Sequence, residues 1–246
     1  MDTIESVREP NLDTQLRQLE RRLRDERDEV PPAVLHEWVE SARARFAEAR
    51  IVTFVPILVE RLVRTHLDLD RIAARTAERL LAGTLPRRWA HTQGVARRAA
   101  EIAGLLSHED GKVLAASAWL HDIGYAPDVA ELDFHQLDGA RYLARAGWPE
   151  RICALVAHHA GAAAVAELTG LTEQLAAFDD EQSVVRDALW YCDMTTGPDG
   201  QPVSFADRMA ELRARRGPGD PVVRALATNE EERAAAVRRT EMLLSH

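Results

Sequence analysis

Leu120-His121-Asp122-Ile123-Gly124 sets two metal-binding side-chain types next to each other, between an apolar helical run and a glycine. A neutral imidazole offers one nitrogen to a transition metal, and the neighbouring carboxylate can hold the same ion or bridge to a second one. The alternative interpretation is a hydrogen-bonded pair of side chains near a helix end. Further ligands elsewhere in the chain are therefore needed to predict a metal site from this stretch.

Such candidates lie inside or at the ends of the apolar helical patterns that surround this stretch. Five of the nine histidines belong to this set, and a protein core does not bury that many imidazoles without partners. The candidate metal ligands are His91, His121, Asp122, His135, His158, His159 and Asp193. His135 can instead be exposed near a helix start, and one of the adjacent histidines 158 and 159 can be a cation favoured by a helix C-terminus.

Helical spacing of apolar residues dominates the whole chain. Leu12, Leu16, Leu19 and Leu23 recur at intervals of 4, 3 and 4, which places them on one face of a charged helix. Two more helices are predicted over about residues 33–46 and 51–67, after a loose tail over residues 1–10. No segment alternates apolar and polar residues with a period of two, so we predict an all-α fold.

Composition excludes several classes of protein. The formal charge of −9 and a pI near 5.5 argue against nonspecific binding to a nucleic-acid duplex, which requires a basic surface. Cys153 and Cys192 are the two cysteines, and they form no framework of spaced pairs, so we expect a cytoplasmic protein. The sequence shows no signal peptide and no apolar run of about 18 residues, so no membrane association is expected.

Residues 118–125, Ala-Trp-Leu-His-Asp-Ile-Gly-Tyr, closely resemble the signature of the HD-domain superfamily of metal-dependent phosphohydrolases. The resemblance covers about residues 72–200 and includes the order His, His-Asp and a distant Asp on separate helices. It implies a first metal ion held by His91, His121, Asp122 and Asp193. It also implies a second ion held by His135, His158 and His159, with Asp122 as the bridge.

The same resemblance implies the chemistry. We expect a phosphomonoesterase or phosphodiesterase that acts on a small phosphate ester such as a nucleotide. It would use one or two divalent ions, and a hydroxide bridging two such ions would attack the phosphorus. Iron, manganese or a similar metal suits ligation by imidazole and carboxylate, and His121 and Asp122 are the residues assigned to catalysis. Arg186 and Arg208 are candidate phosphate ligands, although solvated helix faces explain both arginines equally well.

Two other functions remain open at this point. Some members of the superfamily with similar ligands are mixed-valent di-iron oxygenases, which activate O₂ instead of water. A regulatory module that binds a metal or nucleotide without turnover is the other alternative. The metal ligands define the chemistry, whereas the pocket walls define the substrate, so the sequence does not identify the substrate.

The N-terminal segment carries a second resemblance. Residues 44–51, Ala-Arg-Phe-Ala-Glu-Ala-Arg-Ile, and residues 54–61, Phe-Val-Pro-Ile-Leu-Val-Glu-Arg, resemble the small three-helix-bundle dimerisation domain of several actinobacterial proteins. We therefore predict a dimerisation region over residues 1–68, an HD-type domain over residues 69–246, and a homodimer. Alternatively, these helices pack on the domain that follows them.

Overall fold

The structure is a computed structural model, and it describes residues 11–27, 30, 32–49 and 51–245. These residues form α-helices and short 3₁₀ turns without any strand, which confirms the prediction of an all-α fold. The loose tail predicted over residues 1–10 lies outside the described residues.

The chain divides into two compact units between Asp68 and Leu69. The first unit contains α1 (Leu12–Glu26), α2 (Pro32–Ala44) and α3 (Val55–Leu67). The second unit contains α4 (Leu69–Leu81), α5 (Pro86–Ala103), α6 (His108–Leu120), α7 (His135–Arg145), α8 (Glu150–His158), α9 (Ala162–Thr169), α10 (Thr172–Leu175), α11 (Val184–Met194), α12 (Phe205–Arg216) and α13 (Pro221–Leu244).

The first unit buries one apolar face of each of its helices. The predicted stripe of α1 faces the core, with Leu16, Leu19 and Leu23 buried. The start predicted for the third helix, at residue 51, is wrong, because α3 begins at Val55. Pro56 lies in the first turn of α3, a position where the fixed φ angle of proline favours a helix and its missing N–H is not needed.

Helix α6 lies at the centre of the second unit. It packs against α4, α5, α8 and α11, so apolar or small residues are needed around most of its circumference. Val113, Leu114, Ala116, Ala118 and Leu120 of this helix are all buried. A helix surrounded in this way has little freedom to shift, and its C-terminal end is therefore a rigid support for side chains.

The segment Glu150–Thr169 has the length and hydropathy of a membrane span, and 72% of its most apolar 18-residue stretch is buried inside the structure. It is not one continuous helix, because Ala160 and Gly161 between α8 and α9 adopt left-handed φ angles of 51° and 70°. Burial to this extent is typical of the core helices of a globular protein.

Candidate metal centre

The C-terminal end of α6 delivers the central pair of side chains. His121 directly follows the helix, Asp122 comes next, and both are buried. A 3₁₀ turn, Ile123–Tyr125, then packs on the start of α7, where a Cβ atom on Gly124 would lie 1.8 Å from the carbonyl oxygen of His135. Glycine at 124 therefore allows the close approach that brings His135 beside Asp122.

Three other elements supply the remaining side chains of the centre. His91 projects from α5, Asp193 from the last turn of α11, and His159 from the residue that follows α8. All three are at most 5% exposed. The structure thus brings together six of the seven candidate ligands, which come from five separate parts of the second unit.

These six residues form two groups that could each hold a metal ion. His91, His121 and Asp193 make up the first group, and Asp122, His135 and His159 the second, with the ligand atoms of each group within 4.8 Å of one another.

The carboxylate of Asp122 lies between the two groups. Its Oδ2 is 3.7 Å from His91 Nε2 and 3.2 Å from His121 Nε2. Its Oδ1 is 3.5 Å from His135 Nε2 and 3.8 Å from His159 Nε2. One oxygen therefore faces each group, which is the arrangement that a bridging carboxylate requires.

Hydrogen bonds fix the tautomers of three of the histidines. The Nδ1 atoms of His91, His121 and His159 each contact a backbone carbonyl, and because a carbonyl can only accept, each Nδ1 carries the hydrogen. The acceptors are the carbonyls of Gly197, Ala118 and Val156, at 3.1, 2.8 and 2.7 Å. In the neutral rings, each Nε2 therefore directs a lone pair into the centre, as metal-binding histidines do.

Several of these lone pairs face other electron-rich atoms. His91 Nε2 is 3.0 Å from Asp193 Oδ1, and His135 Nε2 is 3.3 Å from His159 Nε2. His121 Nε2 is buried without any hydrogen-bond partner. A positive charge between such atoms, either a proton or a metal cation, relieves their repulsion, and imidazoles and carboxylates in this arrangement fit bound metal cations.

Protons are a poor source of that positive charge at three of the four imidazoles, because burial disfavours the protonated ring. It lowers the pKa of His91, lowers the pKa of His135 well below its usual value, and lowers that of His159 to about 4. Burial also acts to lower the pKa of His121, but the adjacent Asp122 outweighs it and the pKa rises. Most of the imidazoles are therefore neutral near pH 7, as metal binding requires.

Both carboxylates of the centre are ionised. Burial alone would raise the pKa of Asp122, but the charges of Arg88 and His121 outweigh it and hold the pKa well below the usual range. Arg88 Nη1 donates a hydrogen bond of 2.7 Å to Asp122 Oδ2. For Asp193, too, burial acts to raise the pKa, but the nearby His91 and Arg208 outweigh it and the pKa is lowered.

A basic pocket opens next to the centre. Asp122, His135 and Asp193 line it, and among the lining residues these two aspartates are the acidic ones. Its arginines are Arg88, Arg208, Arg215, Arg216 and Arg233. An acidic chain thus places several arginines around a concave site, which focuses the electrostatic field on an anionic ligand.

His158, a predicted ligand of the second ion, lies outside both groups. Its Nε2 donates a 2.7 Å hydrogen bond to the carbonyl of Phe178. Consecutive residues of a helix point about 100° apart, and α8 ends at His158, so the backbone turns to an extended conformation at His159. Only the second histidine of the pair reaches the centre.

Arg186, a candidate phosphate ligand, lies outside the pocket. Its guanidinium pairs with Asp180 and Glu232, each at 2.9 Å from Nη2, and it lies 4.0 Å from the centroid of the Trp190 ring. Arg208 does line the pocket, and its Nη2 lies 3.5 Å from Asp193 Oδ1.

Sequence reasoning missed most of the pocket arginines. Arg215 and Arg216 belong to an arginine-rich stretch that is indistinguishable from a solvated helix face. Arg88 was detectable in principle, since it lies three residues before His91 and so on the same side of α5.

The family model of the HD domain matches residues 88–209. The matched segment contains all six residues of the centre, and it supports the predicted membership of the HD-domain superfamily. Searches of the curated proteins and of the solved structures find no match to the chain. The resemblance of the N-terminal segment to a dimerisation bundle stays a prediction.

Proposed function

We propose that this protein is a metal-dependent phosphohydrolase that acts on a small phosphate ester in the arginine-lined pocket. HD domains are generally metal-dependent hydrolases, and the matched segment includes the whole centre. The observation that carries the proposal is the position of Asp122, which lines a basic pocket and whose two oxygens face two separate groups of imidazoles. A small anionic substrate suits a site with this charge.

Two sets of residues would hold the metal ions. His91, His121 and Asp193 would hold one ion, His135 and His159 the other, and Asp122 would contact both. Divalent first-row metals such as manganese or iron suit these ligands, and they would supply Lewis-acid activation of water and of a phosphoryl oxygen. Arg88 keeps Asp122 oriented by donating to Oδ2.

The pocket arginines would bind and orient the phosphate ester. Arg208 is 4% exposed and lies beside Asp193, so its guanidinium can contact a phosphoryl oxygen that also faces the centre. Fixed donors at this position stabilise the negative charge that develops during phosphoryl transfer. The five arginines also explain how a chain with a net charge of −9 would attract an anion.

Metal analysis of the purified protein, followed by a panel of phosphate esters with Mn²⁺ or Fe²⁺, tests this function. We expect close to two ions per chain and release of inorganic phosphate or of a monoester from at least one small substrate. Treatment with a chelator should abolish turnover, and Mn²⁺ should restore it. Oxygen uptake without phosphate release would instead show the di-iron oxygenase, and ligand binding without turnover would show a regulatory module.

We also infer that the N-terminal unit pairs two copies of the chain. Helix α3 buries Val55, Val59 and Val63 inside this unit. The apolar residues beside that face remain exposed, namely Ile51, Val52, Phe54, Ile57 and Leu58, the last at 39% and the others at 54% or more. A cluster of exposed apolar residues in one short segment is typical of an interface between protein chains.

Replacing Ile57 with arginine should convert a dimer into a monomer, since a charge would then lie in the proposed interface. Ile57 is 64% exposed, so the fold of the unit should tolerate the change. Sedimentation equilibrium gives the mass and circular dichroism the helical content, which should not change. Leu105→Arg is the control, because Leu105 is 51% exposed in the second unit and its variant should remain dimeric. A wild-type protein that sediments as a monomer would contradict the inference.

A further inference from the structure

Arg233 differs from the other arginines that line the pocket. It lies on α13, is 2% exposed, and has one hydrogen-bonding contact, from Nη1 to the thioether sulfur of Met194 at 3.9 Å. Its Nε has no partner at all. Within the part of the chain that the structure describes, no carboxylate lies within 4.0 Å of its guanidinium.

The neighbouring arginines all have carboxylate partners. Arg88 pairs with Asp122 at 2.7 Å, and Arg216 with Asp220 at 3.0 Å. Arg208 and Arg215 share Glu211, at 2.7 and 2.5 Å. Arg233 is therefore the buried guanidinium of this pocket whose charge lacks a nearby counter-ion.

A buried cation without a counter-ion opposes folding, because its lost hydration is not replaced. The effect is visible in the pKa of Arg233, which burial lowers to about 10 although the more distant Asp193 acts in the opposite direction. If this position only supported the fold, an uncharged side chain of similar length would stabilise the protein more than arginine does. The guanidinium is therefore suited to pair with the negative charge of a bound ligand.

Packing places Arg233 next to the metal centre. Asn229, one helical turn earlier on α13, donates a 2.9 Å hydrogen bond to the carbonyl of Gly161. A Cβ atom on Gly161 would lie 3.0 Å from Arg233 Nε, so the turn that follows His159 rests directly against this side chain. An anion bound at Arg233 would therefore lie beside the segment that delivers His159.

We propose that Arg233 is a phosphate-binding residue, whose unpaired N–H groups hold the phosphate group of the ligand inside the pocket. The planar fork of N–H donors matches two oxygens of a phosphate, and charge-assisted bonds of this kind are strong in a dehydrated site. Arg233 lies outside residues 88–209, so the match to the HD domain does not extend to it. The identity of the ligand rests on the proposed phosphohydrolase function, whereas the unpaired buried charge does not.

Titration calorimetry with inorganic phosphate tests the proposal on the full-length protein, both as purified and after chelator treatment. Arg233→Met should weaken phosphate binding about 10- to 100-fold, the equivalent of one lost hydrogen bond to a charged group. The same variant should melt at an equal or higher temperature than the wild type, because it removes a buried charge. Arg224→Met is the matched control, since Arg224 is exposed on the same helix and outside the pocket.

Two results would overturn the proposal. One is equal phosphate affinity in Arg233→Met and the wild type, and the other is a wild type that does not bind phosphate. Should Arg233→Met fail to fold, Arg233→Lys keeps the charge but loses the fork, and we expect about tenfold weaker binding. Undiminished binding in that variant would equally contradict the proposal.

The calorimetry of the chelated protein involves neither bound metal nor turnover, so it is separate from the test of hydrolysis. Phosphate binding through Arg233 together with a negative ester panel would leave this inference standing and remove the hydrolase. Hydrolysis of at least one ester, together with unchanged phosphate binding in Arg233→Met, would support the hydrolase and contradict this inference.

Discussion

Replacing Asp122 with alanine should strip both metal ions from the protein and lower hydrolysis by at least about 1000-fold. One variant has so large an effect because a single carboxylate faces both groups of imidazoles, with Oδ2 towards one group and Oδ1 towards the other. Loss of a single charge-stabilising group in an active site commonly costs about 100- to 1000-fold. In this protein, the single substitution would remove a ligand from both ions.

Metal analysis and the rate of ester hydrolysis measure this outcome, and circular dichroism checks the fold. The helical content should stay close to that of the wild type, because the apolar core around α6 does not include Asp122. Asp128→Ala is the matched control, since Asp128 is exposed in the same unit and its loss should change neither the metal content nor the rate. A full complement of metal in Asp122→Ala would refute the assignment of Asp122 as the bridge.

Helical periodicity predicts most of the fold, and it singles out several of the candidate ligands, whereas their division into two groups was implied by the family resemblance. Polar residues such as His91 stand out from the sequence because they interrupt otherwise apolar helical faces, and a face predicted to be buried also predicts the burial of its histidine. The His121-Asp122 pair follows a run of small and apolar residues, and that run is the buried helix α6. In both cases, secondary structure and burial are read from the same local pattern.

The adjacent histidines show where local patterns become insufficient. His158 and His159 have the same residue type and nearly the same position, and both are buried. What separates them is the backbone, which leaves the helix at His159 and continues into left-handed residues at Ala160 and Gly161. Gly161 indicates that the helix ends nearby, but it does not show which histidine turns inwards.

The arginines could not be assigned because their environment depends on contacts that are distant in sequence. Arg186 was selected for its spacing from Asp193, yet Glu232 on α13 neutralises part of its charge. Arg233, one residue further along that helix, lies in the pocket without a carboxylate partner. Only the packing of α13 against α11 distinguishes these two roles.

Substituting His135 or His159 with alanine should reduce the metal content from two ions per chain to about one and lower hydrolysis about 100- to 1000-fold. Both residues belong to the group that faces Asp122 Oδ1, whereas His91, His121 and Asp193 remain to hold the other ion. Elemental analysis of the purified variants gives the stoichiometry. His91→Ala should instead weaken the ion on the Oδ2 side.

The matched control for this experiment is His158→Gln. His158 lies next to His159 in the sequence, but its Nε2 donates to the carbonyl of Phe178, and a glutamine amide can supply the same donor. This variant should therefore keep two ions and nearly full activity, which separates loss of a ligand from general damage to the end of α8. If His135→Ala and His159→Ala both kept the wild-type metal content, the second group would bind no ion, and the chemistry would have to proceed at the single site formed by His91, His121, Asp122 and Asp193.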